Sequence, residues 1–343
     1  MENKQQWVLV TGGLGYIGSH VCVSLCLRGF NVIVVDILTK DINRSTRIRE
    51  ILAHEQCQSE ICFSYKDLAR EELCIPKACD YIIHLAALKS VGESVSEPLR
   101  YYENNIKALL TVLQCARRWR SKPVFIFSSS ATVYGVPPTG LVTEESILAP
   151  VNPYGQTKVM CEQILRDTVT GTKSPISAAV LLRYFNPVGA HPSGVIGEDA
   201  SSGAQNLMPV ILQILSGERD ALHIYGTDYS TPDGTALRDY IHIMDLAEAH
   251  VAACQPLVVK DGEVEAINIG RGEGVSVREM ILAMERVTER TIDVVEDERR
   301  PGDAPSCFTT CHKALDLLGW KASRSLDEMC SSAAKAVGIK TVV

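Results

Sequence analysis

The chain of 343 residues is short of several things, and each shortage excludes a class of function. No apolar run approaches the roughly 20 residues that a membrane-crossing helix needs, so no membrane span is expected. The opening Met1-Glu2-Asn3-Lys4-Gln5-Gln6 lacks the apolar core of a signal peptide, and a cytosolic (cytoplasmic) protein is expected. There is no block of clustered lysine and arginine, and 34 basic against 41 acidic residues leave a net charge of −7. A nucleic-acid partner needs grouped cations to neutralise phosphates, so none is expected. Twelve cysteines are present, but no Cys-x-x-Cys. Cys22 and Cys26, and Cys307 and Cys311, stand four apart with no histidine pair to complete a tetrahedral site. Reduced thiols acting as small hydrophobes are expected, and no metal.

What remains is an ordinary folded composition, 46 % apolar and 22 % charged. At about 150 residues per domain, two domains are the first expectation. Trp7–Val10, Val32–Val35, Tyr81–Ile83, Val124–Phe127 and Ala179–Leu182 read as continuous apolar strands of a parallel sheet covered on both faces. Amphipathic stretches at Gly18–Arg28, Pro98–Arg118 and Pro153–Thr168 lie between them. That alternation predicts an α/β fold, a doubly wound parallel sheet of Rossmann type. From Pro187 to Gln205 the chain turns rich in Gly, Pro, Ser and Asp and reads as a long loop. The boundary is therefore set at 187/188, with a smaller α/β lobe over 188–343. Leu207–Ser216, Asp245–Cys254, Val277–Glu289 and Leu326–Ala336 read as its helices, and Leu222–Tyr225 and Ala266–Ile269 as its strands.

Thr11-Gly12-Gly13-Leu14-Gly15-Tyr16-Ile17-Gly18 follows the first strand and opens the first helix. Such glycines allow a tight turn, close approach of a pyrophosphate to the backbone, and close helix–strand packing, with the helix N-terminus facing the anion. Asp36 closes the second strand, where a carboxylate accepts both ribose hydroxyls of an adenosine and repels a 2′-phosphate. NAD is the expected cofactor. Glycines spaced by three resemble the short-chain dehydrogenase/reductase superfamily and direct attention to a Tyr-x-x-x-Lys. Tyr154-Gly155-Gln156-Thr157-Lys158 supplies it at the start of a helical stretch, with both side chains on one face. A lysine ammonium and a cationic nicotinamide beside the phenol are expected to favour the phenolate. Ser128-Ser129-Ser130 closes a buried strand, where a hydroxyl could share the substrate's proton with Tyr154, and spacing does not choose among the three. Asn104 and Asn105 read as structural amides.

Taken together, the chain resembles the UDP-galactose 4-epimerase family of extended short-chain dehydrogenases from about Val8 to Met329. The resemblance is carried by Thr11–His20, His84–Ser94, Phe125–Gly135, Leu182–Pro192, Arg238–His242 and Arg299–Asp303. It implies that Ser130, Tyr154 and Lys158 are catalytic. It places Gly12, Gly15, Tyr16, Ile17, Gly18, Asp36, Asp67, Leu68, Leu85, Ala86, Lys89, Asn105 and Tyr184, with Tyr154 and Lys158, at NAD. It places Lys89, Ser130, Tyr154, Asn186, Asn206, Leu207, Tyr225, Arg238, Tyr240, Arg300, Asp303 and Cys307 at a UDP-sugar. The two arginines are fork-shaped donors suited to a dianionic pyrophosphate.

The implied reaction removes a hydride from sugar C4 and returns it to the other face through a 4-keto intermediate. A homodimer on the helices around 98–118 and 153–168 is likewise implied. Departures from the family are Ile37 where Asn is common, Ala108-Leu109 where many members have Gly-Thr, a segment between Ser130 and Tyr154 one residue shorter than in many members, and a tail from Cys330 without its usual Trp. Cys307 stands where some members carry Tyr, and the smaller side chain leaves room for an N-acetyl group at sugar C2. Two rivals are weighed. A 4,6-dehydratase on this scaffold carries Asp-Glu where this chain has Ala131-Thr132, and without those carboxylates water elimination lacks proton carriers. A non-catalytic NAD sensor usually lacks the Tyr–Lys pair. A sugar decarboxylase or another epimerase is the enzymatic runner-up.

Overall fold

The computed structural model describes residues 5–37, 43–199, 206–256, 258–300 and 302–342. Residues 200–205 of the expected long loop, and Pro301 of the Arg299–Asp303 motif, lie outside them. The first stretch of chain runs β1 (Trp7–Thr11), α1 (Tyr16–Leu27), β2 (Asn31–Asp36), α2 (Arg44–His54), β3 (Ile61–Tyr65), β4 (Tyr81–His84), α3 (Val91–Ser96), α4 (Pro98–Ala116) and β5 (Val124–Ser130). A single 3-10 turn (Ala131–Tyr134), β6 (Leu141–Val142), α5 (Pro153–Thr170), β7 (Ala178–Tyr184) and β8 (Asn186–Val188) follow. The second stretch runs α6 (Leu207–Leu215), β9 (Leu222–Tyr225), β10 (Leu237–His242), α7 (Ile243–Ala253), β11 (Val264–Ile269), β12 (Gly274–Ser276), α8 (Val277–Thr288), β13 (Val294–Asp297), β14 (Ser306–Thr309), α9 (His312–Leu318) and α10 (Leu326–Ala336).

Seven strands form one sheet in the order β3-β2-β1-β4-β5-β7-β11, all parallel. Every residue of β1, β4 and β7 is buried, which explains why their sequences are apolar without alternation. Successive side chains leave opposite faces. Val8 and Val10 join α1, α2 and α7 in one core, and Leu9 joins α4 and α5 in another. Strand order reverses between β1 and β4, so a crevice opens beyond their C-terminal ends, where sheets of this kind bind ligands.

One expectation is corrected. Ala266–Ile269, read as a strand of the smaller lobe, belongs to β11 and forms the edge of the first sheet, from Val264 opposite Ala179 to Ile269 opposite Tyr184. Helix α7 also returns to this body and shares its core with α1. A four-residue apolar run states that a strand is buried, not which sheet accepts it, and β7 offered the open edge. The 187/188 division therefore follows loop texture and not sheet membership. Of the other strands, β8, β12 and β14 flank β10, β6 pairs β14, and β9 and β13 form a separate parallel pair. Helices α6, α8 and α10 cover them. The tail without its Trp is docked all the same: Met329, Cys330, Ala333 and Ala334 are buried, and Val342 N–H donates to Val287 O at 2.9 Å. Among the described residues no helix is long and apolar enough to cross a membrane.

Candidate active site

The predicted glycine turn leaves β1 at Thr11. Gly12 has φ +71°, and a Cβ there would stand 2.7 Å from Ala86 N, in the segment after β4. A Cβ on Gly18 would stand 2.1 Å from Gly12 O, so the first turn of α1 lies directly on the glycine turn. Leu85 N–H donates to Thr11 O at 3.0 Å and holds the two segments side by side. Gly15 caps α1 without a side chain, which leaves the leading N–H groups at Tyr16 and Ile17 and the helix's positive end open to an anion. Asp36 ends β2 beside this turn. Its Oδ2 accepts from Leu14 N at 2.7 Å and its Oδ1 from Ile37 N at 2.8 Å. Burial pushes its pKa up, opposed by these bonds and by Arg44. Asp67 and Leu68 follow β3 on the same edge, anchored by Lys66 N–H donating to Asp36 O at 2.8 Å. A bare cradle, an uncapped helix N-terminus and a carboxylate beyond β2 together fit a dinucleotide.

The three serines at the end of β5 divide their work. Ser128 gives its carbonyl to Lys158 Nζ at 2.6 Å, and Ser129 gives its hydroxyl to Glu162 Oε1 at 2.6 Å. Ser130 stands close enough to Tyr154 for its hydroxyl to pull the phenol's pKa down, and its Oγ accepts from Thr132 N at 3.2 Å and from Thr132 Oγ1 at 3.0 Å as cap of the 3-10 turn. Helix α5 starts on Asn152, whose Oδ1 accepts from Gly155 N at 2.8 Å, and Pro153 fixes its first turn. Tyr154 and Lys158 follow one turn apart. Lys158 Nζ lies 4.9 Å from the Phe127 ring centre and 5.7 Å from that of Tyr154. Burial lowers the Lys158 pKa to about 8 and pushes Tyr154 up to about 12, with the Ser130 hydrogen bond pulling Tyr154 back. Burial therefore favours the neutral phenol in the chain by itself; the expected lowering invokes the charge of nicotinamide as well as that of Lys158.

Asn105 is buried as a structural amide, bonded to Leu88 N and O and to Thr157 Oγ1. Tyr184, at the end of β7 opposite Ser130, donates to His250 Nε2. Tyr16 reaches from α1 to donate to Gly189 O at 2.6 Å. Lys89 Nζ meets Glu198 Oε1 at 3.4 Å, bridging the segment after β4 to the chain beyond β8.

Of the residues expected at a UDP-sugar, Arg238 and Tyr240 lie on β10, with Cys307 and Asn186 on the strands beside it. Arg238 sits opposite Cys307 on β14, and Tyr240 opposite Asn186 on β8. Arg238 Nη1 donates to Leu237 O at 2.8 Å and Ala304 O at 2.9 Å, which fixes its guanidinium. Arg300 Nε donates to Asp303 Oδ2 at 2.9 Å, and its guanidinium lies 4.6 Å over the Tyr225 ring. Cys307 packs on a small cluster of Val133, Tyr134, Val142 and Phe185, so it shares a wall with the turn that follows Ser130. Asn206 and Leu207 open α6, and among the described residues no hydrogen bond joins Asn206 to these clusters.

A family model described as GDP-mannose 4,6 dehydratase matches residues 9–333. The UDP-glucose 4-epimerase of Bacillus subtilis (strain 168) is 44 % identical over 329 residues, covering 94 % of each chain. The crystal structure of UDP-glucose-4-epimerase from Stenotrophomonas maltophila, with bound NAD and formylated UDP-arabinopyranose, matches at 39 % identity and a TM-score of 0.88, over 97 % of this chain and 98 % of that one. The structure from Bifidobacterium longum, in complex with NAD+ and UDP, matches at 39 % identity and 0.86, over 96 % and 97 %.

The chain belongs to the UDP-glucose 4-epimerase family.

The dehydratase description of the family model does not set the chemistry of this epimerase. Ala131 and Thr132 form the turn after Ser130, and neither is a carboxylate. One feature of the site escaped the sequence reading. Arg183 on β7 and Glu162 on α5 form an ion pair in which each side chain is 2 % exposed. Nε–Oε1 is 3.0 Å and Nη2–Oε2 is 2.7 Å. Glu162 stands four residues beyond Lys158, so continuing the Tyr-x-x-x-Lys face by one turn would have found the carboxylate. The arginine, 21 residues further on in the next strand, left no local signal.

Proposed function

We propose that the protein inverts C4 of a UDP-hexose, interconverting UDP-galactose and UDP-glucose, with the UDP-N-acetylhexosamine pair as further substrates. The observation that carries this is the meeting of Ser130, Tyr154 and Lys158 at the C-terminal end of β5, with Cys307, paired with Arg238, packed on the cluster that includes Val133 and Tyr134 of the turn after Ser130. NAD, when bound, supplies the acceptor and donor of the C4 hydride. Gly12, Gly15 and Gly18, the α1 N-terminus and Asp36 would hold it, with Asp67, Leu68, Lys89 and Asn105 along its edge.

Tyr154, beside Ser130, takes the proton of the sugar 4-hydroxyl and later gives it back. Lys158, fixed to Ser128 O, places positive charge beneath that exchange. For the keto sugar to show its other face, the protein must grip the diphosphate and leave the ring free. Arg238 and Arg300 are suited to the first task, with Asp303 orienting Arg300, and the small Cys307 would serve the second. Proton and hydride are each removed and restored, so no net redox occurs. A cytosolic homodimer through α4 and α5 is part of this reading, supported by the exposed Leu99, Leu110 and Met160 on those helices. The test is conversion of UDP-galactose without added cofactor: purified protein should turn over repeatedly on retained NAD. A stoichiometric requirement for added NAD overturns the proposal.

A further inference from the structure

We propose that the buried Glu162–Arg183 ion pair positions the catalytic serine: it brackets Ser130 from both sides and sets its place against Tyr154 and Lys158. This rests on the epimerase reading above and adds to it two residues whose side chains are closed off in the interior.

The bracket is continuous. On the strand side, Glu162 Oε1 accepts the hydroxyl of Ser129, the residue before Ser130, at 2.6 Å. On the turn side, Arg183 Nη1 donates to the phenol of Tyr134 at 3.0 Å and to Glu144 O at 3.1 Å. Tyr134 ends the 3-10 turn that Ser130 caps. From there Tyr134 donates to Asn268 Oδ1 at 2.6 Å, and Asn268 Nδ2 donates to Thr309 Oγ1 at 2.9 Å, two residues beyond Cys307. Glu162 also lies on the same face of α5 as Tyr154 and Lys158, at intervals of four. One carboxylate thus references the helix that carries the base, the strand that carries the serine and the turn beyond it. A bidentate pair is directional as well as attractive, so it fixes distance and angle together. Reacting groups misplaced by about 1 Å lose up to a hundredfold in rate, which is why such a bracket matters for the chemical step and not for binding.

The pair also bears on the charge around the base. The groups facing Tyr154 and Lys158 are Ser130 and the Ser128 carbonyl from β5, Tyr184 from β7, His84 from β4, and Cys161 and Glu162 from α5. Of these the Ser130 hydrogen bond draws the Tyr154 pKa down, so a displaced Ser130 leaves the phenol harder to ionise.

Glu162→Gln strands the Arg183 charge in the core and risks the fold. The test therefore uses Ser129→Ala and Tyr134→Phe, which cut the bracket on either side of Ser130 and leave the ion pair intact. Each is measured for UDP-galactose conversion over pH 5.5–9.5, for UDP affinity by calorimetry, and for folding by thermal melt. The expected result is folded protein, kcat down about tenfold, KM and UDP affinity within about twofold, and the acid limb of kcat moved to higher pH. Wild-type kcat in both variants overturns the proposal, and so does a fall in UDP affinity matching the fall in kcat. Tyr154→Phe runs alongside: if it abolishes a conversion that Ser129→Ala and Tyr134→Phe leave untouched, the bracket fails and the epimerase reading stands. If the wild-type chain converts nothing, that reading fails first.

Discussion

Lys158 donates its ammonium to the carbonyl of Ser128 at 2.6 Å and stands 5.7 Å from the centre of the Tyr154 ring. The lysine is thus tied to the strand and not to the phenol it was expected to activate. Burial then dominates Tyr154, whose pKa is pushed up to about 12. In the protein alone the base is a neutral phenol throughout the physiological range, and a positive charge must arrive before it can accept a proton. Oxidised nicotinamide carries one. Ultraviolet difference titration of wild type against Tyr154→Phe should therefore show no Tyr154 phenolate below about pH 10 in NAD-stripped protein, and phenolate appearing at lower pH when NAD is restored. Equal titration in both states contradicts this.

The same comparison shows how much was legible in the sequence. The glycine turn, Asp36 and the Tyr154–Lys158 pair were found because each is a local spacing attached to a recognisable element. The choice among three serines was not local. What bears on it is what Ser128 and Ser129 do with Lys158 and Glu162, partners 30 and 33 residues away. Distance in sequence likewise hid the place of β11 beside β7 and the pairing of Arg183 with Glu162. At Tyr154, spacing reveals a neighbouring charge but not the depth of burial that opposes it in the chain by itself.

Cys307 lies against Val133, Tyr134 and Phe185 on the wall shared with the Ser130 turn. Replacing it with Tyr adds a ring to that wall. Cys307→Tyr is expected to cut turnover of UDP-N-acetylgalactosamine by at least about tenfold while UDP-galactose turnover stays within about threefold, the contrast expected from steric exclusion. Comparing kcat/KM for the two substrates checks it, and equal loss of both contradicts it.

Asp36 presents its carboxylate beside the glycine turn, with one oxygen on Leu14 N and the other on Ile37 N. Removing a charged acceptor for ribose hydroxyls costs about 1.5–3 kcal/mol, or roughly ten- to a hundredfold in affinity. Asp36→Asn should bind NAD weaker by that factor in a fluorescence titration. It should also narrow the preference over NADP, because the repulsion of a 2′-phosphate is gone.

Five histidines are buried, and burial lowers the pKa of each, His191 among them. Burial lowers His20 and His84 to about 3, and His242 and His250 to about 4, from an ordinary value of 6.5. Between pH 6.5 and these values the unfolded chain binds protons that the folded chain refuses, so stability falls as pH falls. At pH 5 the loss is about 2 kcal/mol for each of His20, His84, His242 and His250. The melting temperature should drop steadily from pH 7 to pH 5. His250→Gln, which keeps a side chain able to accept from Tyr184, should make that slope shallower.

The central claim is that the hydride leaves C4 and returns to the same carbon. UDP-galactose deuterated at C4 tests it most directly, with product read by mass spectrometry and NMR in ordinary water. The prediction is UDP-glucose that retains deuterium at C4 in full, with Tyr154→Phe forming product at least about a hundredfold more slowly. Loss of deuterium to solvent would mean that C4 exchanges its hydrogen as a proton, and would contradict the account.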